Sequence, residues 1–175
     1  GGPTGMAAAH FLARAGVPVT LFERENQLGG IVRQVIPGFR ISDEAMDKDA
    51  AMLTKLGVDI RLGAPAPTVE ELKAQGYTHI LLAVGAWKPG RLDIPGNVRP
   101  VIAWMQAIKA GQETVSGHVA VIGGGNTAMD AARLALRAGA ASSTLVYRRT
   151  RKYMPADAEE LELAMADGVR FLELV

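Results

Sequence analysis

One short run of small residues constrains the fold of this chain more than any other feature. Residues 119–122 are Val-Ala-Val-Ile, and residues 123–128 continue as Gly-Gly-Gly-Asn-Thr-Ala. A G-x-G-x-x-A pattern that leaves a strand and opens a helix is typical of a dinucleotide-binding turn. In such a turn Gly123 permits the tight bend, Gly125 lets the backbone approach a pyrophosphate, and small Ala128 lets the helix pack closely on the strand. The alternative interpretation is a tight loop that holds no ligand.

Strand and helix patterns alternate from residue 118 onward. The predicted elements are a strand over 118–122, a helix over 125–138, a strand over 143–147, a helix over 155–167 and a strand over 169–174. This β-α-β-α-β order predicts half of a Rossmann-like parallel sheet. The free N–H groups and the positive dipole at the start of the first helix would favour a phosphate.

Cations follow the second predicted strand of this unit. An NAD site usually places an acid there, against the ribose 2′-hydroxyl, whereas this chain has Arg148 and Arg149, then Arg151 and Lys152. Two charge-assisted hydrogen bonds of about 1.5–3 kcal/mol each would favour a 2′-phosphate by about 10²- to 10⁴-fold. The sequence therefore predicts NADP here, and the alternative is a solvated basic loop.

An incomplete turn of the same kind stands at the start of the chain. Gly2, Pro3, Thr4 and Gly5 match the last four positions of G-x-G-x-x-G. Gly1 is the variable position before them, and the leading glycine would fall just before residue 1. Glu23 ends the next β-rich run, where an acid would meet a ribose hydroxyl, although it could be an ordinary strand-end acid. The sequence thus predicts two different nucleotides, and we expect a fragment of a longer polypeptide because this turn lacks its strand.

The first hundred residues also predict alternating elements. They are a strand over 17–22, a loop over 26–41, a helix over 43–56 capped by Ser42, a strand over 58–62, a helix over 69–75 capped by Thr68, and a strand over 78–84. A turn-rich connector over 85–100 and a helix over 101–110 follow. The expected fold class is α/β, with two Rossmann-like parallel-sheet units that are both truncated.

Composition excludes several classes of protein. The 175 residues contain no cysteine, so the chain itself holds no disulfide, no dithiol pair and no cysteine-ligated cluster. A net charge of +1 argues against a nucleic-acid binder, and no apolar run reaches the about 18 residues of a membrane span. His10, His79 and His118 are scattered without ligand spacing, which predicts no metal site. With no signal peptide in the sequence, we expect a cytoplasmic protein.

Several of these motifs together resemble the small (β) subunit of glutamate synthase and its relatives. Those relatives include the flavin region of dihydropyrimidine dehydrogenase and the flavin subunits provisionally assigned to selenate reductases. The resemblance covers essentially the whole chain. It rests on Gly2-Pro3-Thr4-Gly5, Phe22-Glu23-Arg24, Leu28-Gly29-Gly30, Ile36-Pro37-Gly38-Phe39-Arg40, Leu82-Ala83-Val84-Gly85-Ala86, Ile94-Pro95-Gly96, the residues from Gly123 to Asp130, and Tyr147-Arg148-Arg149 followed by Met154-Pro155-Ala156.

The resemblance implies a cofactor role for each matching residue. Those expected at FAD are Gly2, Pro3, Thr4, Gly5, Glu23, Arg24, Gly29, Gly30, Arg40, Ala83 and Gly85. Those expected at NADPH are Gly123, Gly124, Gly125, Asn126, Thr127, Ala128, Arg148 and Arg149. It further implies a partial FAD-binding domain over 1–100, a connector helix and linker over 101–116, and the first half of an NADPH-binding domain over 117–175.

The implied activity is hydride transfer between NADPH and FAD, with electrons leaving through iron–sulfur clusters of a partner domain or subunit. Because the cofactors carry that chemistry, no catalytic side chain is predicted. One alternative is a thioredoxin-reductase-like disulfide reductase, although this chain has no Cys-x-x-Cys. Another is a nucleotide-binding regulatory module without turnover. By itself the chain is expected to be inactive and to retain FAD weakly.

Overall fold

The computed structural model describes residues 1–88, 90 and 92–175, which form two compact units, Gly1–Lys88 and Pro89–Val175. The first unit contains α1 (Pro3–Arg14), β1 (Thr20–Phe22), α2 (Gly30–Gln34), α3 (Asp43–Lys55), β2 (Asp59–Arg61) and α4 (Val69–Ala74). The second contains α5 (Val101–Lys109), β3 (His118–Ile122), α6 (Asn126–Arg137), β4 (Ser142–Tyr147), a 3₁₀ turn (Arg151–Tyr153), α7 (Ala158–Ala166) and β5 (Arg170–Glu173).

The boundary between the units lies after Lys88, earlier than the residue 100 that the sequence predicts. The predicted connector helix is α5, and it packs on α6 of the second unit through a buried Met105. Residues 89 and 91 of the predicted turn-rich connector lie outside the described residues.

Two parallel strands and the helices α1 and α3 build the core of the first unit. Thr20 pairs with Asp59 and Phe22 with Arg61 along β1 and β2. The buried side chains that form the core are Met6, Ala9, Leu21, Leu28, Met46, Leu53 and Val58. Burial of these aliphatic groups fixes α1 and α3 against the strands.

Side-chain caps start α3 and α4, as predicted. The Ser42 hydroxyl accepts from the Ala45 N–H at 3.2 Å. Thr68 and Glu71 form a reciprocal capping box at the start of α4. Each cap satisfies helix N–H groups that have no carbonyl partner within the helix.

The predicted strand over 78–84 is wrong for the structure: no strand is assigned among the described residues 78–88. Leu81, Leu82 and Val84 are exposed by 63%, 73% and 73%. A strand requires a neighbour with which to exchange N–H···O bonds, and among the described strands β1 pairs only with β2. The β-rich composition of 78–84 therefore gives a local preference without the partner that would convert it into sheet.

Two helix boundaries also differ from the sequence prediction. The predicted loop over 26–41 contains α2, whose five residues begin with Gly30 and are too few to show a helical periodicity in the sequence. The last helix starts at Ala158 instead of 155, because Asp157 keeps an extended backbone with φ −61° and ψ 140°.

The second unit confirms the predicted β-α-β-α-β arrangement. Its strands are parallel in the order β3-β4-β5, and α6 packs against β3, β4 and α7. The helix face on the sheet is rich in fully buried alanine, which lets the backbones approach closely. At the far end of the unit, Asp167 accepts from Arg133 Nε and Arg137 Nη2, each at 2.7 Å, and so links α6 to the end of α7.

Within the described part of the chain, no helix combines the length and apolarity that crossing a membrane would require. The same residues contain no cluster of three His, Asp or Glu side chains suited to a metal ion.

Candidate cofactor-binding sites

The glycine turn of the second unit joins the end of β3 to the start of α6. Gly123 adopts φ 152°, which side chains rarely allow, and its N–H donates to the Val146 carbonyl at 3.0 Å. A Cβ at Gly123 would lie 3.3 Å from the Cβ of the buried Ala128. Both the bend and the close helix packing therefore require small residues here.

At Gly125, unlike Gly123, no contact with the described protein requires the absence of a side chain. Its φ is −98°, which any residue adopts, and a Cβ there would meet no atom within 4 Å. The glycine leaves open space directly before the N-terminus of α6, where backbone N–H groups point outward. This is the arrangement that admits a pyrophosphate.

Gly124 is held against a side chain that the sequence pattern did not single out. A Cβ at Gly124 would lie only 2.5 Å from Cε2 of Tyr147. Tyr147 ends β4, is 8% exposed, and donates its hydroxyl to the Tyr153 carbonyl at 2.7 Å. In the sequence, the only indication of a role for Tyr147 is its position directly before Arg148 and Arg149.

The cations after β4 divide between two places. Arg148 and Arg149 are exposed immediately after the strand. Arg151 and Lys152 line a cleft of about 470 Å³, together with Met154, Ala156, Asp157, Ala158 and Leu161. Arg151 is already engaged, since its guanidinium donates to Glu162 at 2.9 Å and its N–H to Glu173 at 2.6 Å.

Two further contacts hold the segment after the arginines against the glycine turn. The Ala156 N–H donates to the Gly124 carbonyl at 3.0 Å. Asn126 and Asp157 bond reciprocally, through Asn126 Nδ2 to Asp157 Oδ2 at 3.3 Å and Asp157 N–H to Asn126 Oδ1 at 3.2 Å. The amide of Asn126, expected at the cofactor, therefore bonds to protein.

Most residues expected at FAD lie along one cleft of about 1100 Å³ in the first unit. Those lining it are Gly2, Pro3, Thr4, Gly5, Glu23, Arg24, Gly30, Ala83 and Gly85. Gly29 and Arg40 do not line it. The Arg40 guanidinium lies 5.9 Å from the centroid of the Phe39 ring.

The glycine pair at 29 and 30 packs directly on the first glycine turn. Gly29 donates its N–H to the Gly1 carbonyl at 2.8 Å, and a Cβ at Gly30 would lie 2.8 Å from the Gly2 Cα. Their φ values are 123° and 51°. These glycines therefore allow two backbones to touch, and Gly30 does so at the wall of the cleft.

Glu23 is a partly buried acid at the end of β1. Burial raises the pKa of its carboxyl and the Glu25 N–H at 3.0 Å lowers it, and the net pKa lies below its usual range. The carboxylate is therefore charged at neutral pH and accepts hydrogen bonds. Beside it, the Arg24 guanidinium lies 5.4 Å from the centroid of the Trp87 ring.

The family description for pyridine nucleotide-disulphide oxidoreductases matches residues 1–172, nearly the whole chain. The chain belongs to this family. Its α/β fold with parallel-sheet nucleotide-binding units is the fold that the sequence predicts.

Three relatives show where in the family the chain lies. YgfK of Escherichia coli (strain K12), provisionally named an oxidoreductase, is 46% identical to this chain. The match covers 97% of this chain and 17% of YgfK. The NADPH-Fe(3+) oxidoreductase subunit beta of Geobacter sulfurreducens is 39% identical over 97% of this chain and 27% of its own length. The glutamate synthase [NADPH] small chain of Azospirillum brasilense is 32% identical over 98% of this chain and 39% of its own length. The predicted likeness to the glutamate synthase small-subunit family is confirmed, and this chain spans well under half of each relative.

Solved structures share the fold at low identity. A 2-naphthoyl-CoA reductase complex matches 99% of this chain and 27% of its own chain, with a TM-score of 0.75 and 22% identity. A thioredoxin reductase from Lactococcus lactis matches 99% of this chain and 62% of its own chain, with a TM-score of 0.67 and 24% identity. Identities this low establish a common fold and nothing about substrate.

Proposed function

We propose that this chain supplies the FAD- and NADPH-binding parts of an NADPH-dependent flavin oxidoreductase, which passes electrons to iron–sulfur clusters of a partner domain or subunit. The observation that carries the proposal is Gly125: no contact with the described protein and no unusual φ requires its missing side chain. A ligand in front of α6 explains it. NADPH, when bound, would supply the hydride that reduces the flavin.

The preference for NADPH rests on the charges that follow β4. Arg148 and Arg149 leave the strand on the side where the ribose of a bound dinucleotide would lie. Arginine binds phosphate in a bidentate manner and stays charged at any working pH. Relatives named as NADPH-dependent enzymes support the same cofactor.

The FAD assignment rests on the large cleft and on Glu23. The cleft gathers a glycine turn, an α1 N-terminus that begins at Pro3, and a carboxylate that is charged at neutral pH. A charged carboxylate accepts hydrogen bonds from a ribose diol and disfavours a 2′-phosphate. In this proposal the two units select different nucleotides by the sign of one local charge.

Calorimetric titration of this chain with 2′,5′-ADP and with 5′-ADP tests the NADP assignment. We expect 2′,5′-ADP to bind at least about tenfold more tightly, since one charge-assisted contact contributes about 1.5–3 kcal/mol. Arg148→Ala should remove most of that difference. Arg170→Ala is the matched control, because this exposed arginine begins β5 at the opposite end of the sheet. Equal binding of both ligands to the unmodified chain would refute the assignment.

The iron–sulfur partner is the part of the proposal that rests on family likeness alone. A thioredoxin-reductase-like activity is the second candidate, and the shared fold with the Lactococcus enzyme is its support. The chain contains no cysteine to form the dithiol that such an activity uses. Electron transfer from the NADPH-reduced parent protein to a one-electron acceptor, without reduction of a disulfide substrate, would separate the two candidates.

A further inference from the structure

Tyr147 is the one buried aromatic side chain at the glycine turn among the described residues. It stands at the carboxyl end of β4, between the turn that follows β3 and the basic segment that follows its own strand. The edge of its ring fills the space beside Gly124, so a Cβ there would lie 2.5 Å from Cε2 and 2.7 Å from Cδ2. The ring therefore fixes one side of the turn by packing.

The hydroxyl of the same side chain fixes the basic segment. It donates to the Tyr153 carbonyl at 2.7 Å, in a partly buried position. Tyr153 ends the 3₁₀ turn that carries Arg151 and Lys152, so this hydrogen bond helps to set where the turn lies, together with the bonds of Arg151 to Glu162 and Glu173. Without an acceptor, a hydroxyl on a side chain only 8% exposed would carry a desolvation cost.

We propose that Tyr147 is a positioning residue that couples the glycine turn to the basic segment, so that discrimination for a 2′-phosphate depends on its hydroxyl. The inference rests on the proposed NADPH function and deepens it. Tyr147 contacts the turn through its ring and the segment through its oxygen. Removing the oxygen therefore frees the segment while the packing against Gly124 stays in place.

The other links between the turn and the segment are more exposed. Asn126 and Asp157, which bond reciprocally, are both exposed side chains. Water competes for such bonds, so each holds the segment weakly. The Ala156 N–H to Gly124 bond lies three residues beyond Tyr153. The exposed bonds of Arg151 hold the start of the 3₁₀ turn to Glu162 and Glu173, and neither reaches the glycine turn. The buried hydroxyl is thus the contact whose loss should matter most.

Tyr147→Phe tests the inference because it removes one oxygen and keeps the ring. We expect the affinity for 2′,5′-ADP to fall about three- to tenfold, the range for one lost hydrogen bond, while 5′-ADP changes less than twofold. Tyr153→Phe is the matched control. It removes the hydroxyl of a side chain that is 61% exposed and leaves the backbone carbonyl acceptor intact. That control should bind both ligands like the unmodified chain.

Amide hydrogen exchange provides a second readout that needs no ligand. In Tyr147→Phe, the Tyr153, Met154 and Ala156 amides, which donate within the segment or to Gly124, should exchange about three- to tenfold faster. Amides of α6 should be unchanged.

Each possible result of these two experiments supports or overturns the proposed role of Tyr147. Unchanged exchange, or an equal loss of affinity for both ligands, would overturn the coupling role of Tyr147. Faster exchange with unchanged discrimination would overturn it as well. A lack of discrimination in the unmodified chain would instead refute the proposed NADPH function, and the exchange experiment would still decide whether the hydroxyl anchors the segment.

Discussion

Gly124 and Gly125 are adjacent, yet alanine at each should have opposite consequences. At Gly124 the new methyl would lie 2.5 Å from the Tyr147 ring, about 1 Å closer than ordinary contact. The ring cannot move aside easily, since its hydroxyl is bonded to Tyr153. Overpacking of this kind costs about 1–3 kcal/mol. In a unit of this size, about 2 kcal/mol lowers Tm by roughly 10 °C.

At Gly125 the methyl would enter open space with an ordinary backbone conformation. Gly125→Ala should change Tm by only a few degrees, because the about 0.4–1 kcal/mol gained by reducing the entropy of the unfolded chain is opposed by a similar loss at the N-cap of α6, where alanine is disfavoured. The same methyl would occupy the space proposed for the pyrophosphate. We expect its affinity for NADP⁺ to fall at least about tenfold, which corresponds to about 1.4 kcal/mol.

The assay is differential scanning calorimetry of both variants, followed by titration with NADP⁺ at a temperature well below either transition. Gly124→Ala should be the less stable variant, and Gly125→Ala the folded variant that fails to bind. If Gly125→Ala lost stability like its neighbour, the space before α6 would be needed by the protein itself. If it bound NADP⁺ normally, no ligand would occupy that space, and the main support for the proposed function would be lost.

Four other predictions follow from the structure. Asp167→Asn should destabilise the protein by about 1–2 kcal/mol at pH 7. Hydrogen bonds from Arg133 and from a second arginine lower the Asp167 pKa. The stabilisation is therefore complete above about pH 4, the pKa of the unfolded state, and is lost as pH falls through the lower pKa of the folded state. Denaturant titrations at several pH values would measure this loss. Glu162→Gln should raise 2′,5′-ADP affinity about two- to fivefold by releasing Arg151, an exposed pair that is worth under about 1 kcal/mol; calorimetry would show it. Ser42→Ala should cost about 1 kcal/mol through the lost cap of α3, measured by thermal unfolding. The purified chain should carry well under one FAD per molecule, because apolar residues beside the large cleft are exposed to water and do not enclose a ligand. An absorbance spectrum that shows one flavin per chain would contradict this.

Local patterns were enough to predict most of the fold. The run before Gly123 gave β3 and the start of α6, because a strand, a glycine bend and a helix leave separate marks in sequence. Ser42 and Thr68 marked helix starts for the same reason, since a cap acts on N–H groups only two or three residues away.

What the sequence did not provide were the contacts between segments distant along the chain. Residues 78–84 have the composition of a strand, but pairing depends on a neighbour that no local pattern records. Tyr147 and Asp157 belong to the site only because the segment after β4 folds back on the turn after β3. Arg40 is a further case: its motif matches the family, but it does not line the cleft, and its place at FAD stays a prediction.

The two glycine turns gain different specificity from what stands at the end of the next strand. After the first turn that position holds Glu23, whose carboxyl accepts from the Glu25 N–H and has a lowered pKa despite partial burial. After the second it holds Tyr147, followed by two exposed arginines. A phosphate near the carboxylate would meet a repulsion that a ribose diol does not, whereas a phosphate near the arginines gains charge-assisted hydrogen bonds. In the proposed function the turns would contact the pyrophosphate common to both cofactors, so discrimination at the adenosine ribose would lie in these strand ends. By the same proposal it would also depend on the segment after β4, which the Tyr147 hydroxyl holds through the Tyr153 carbonyl.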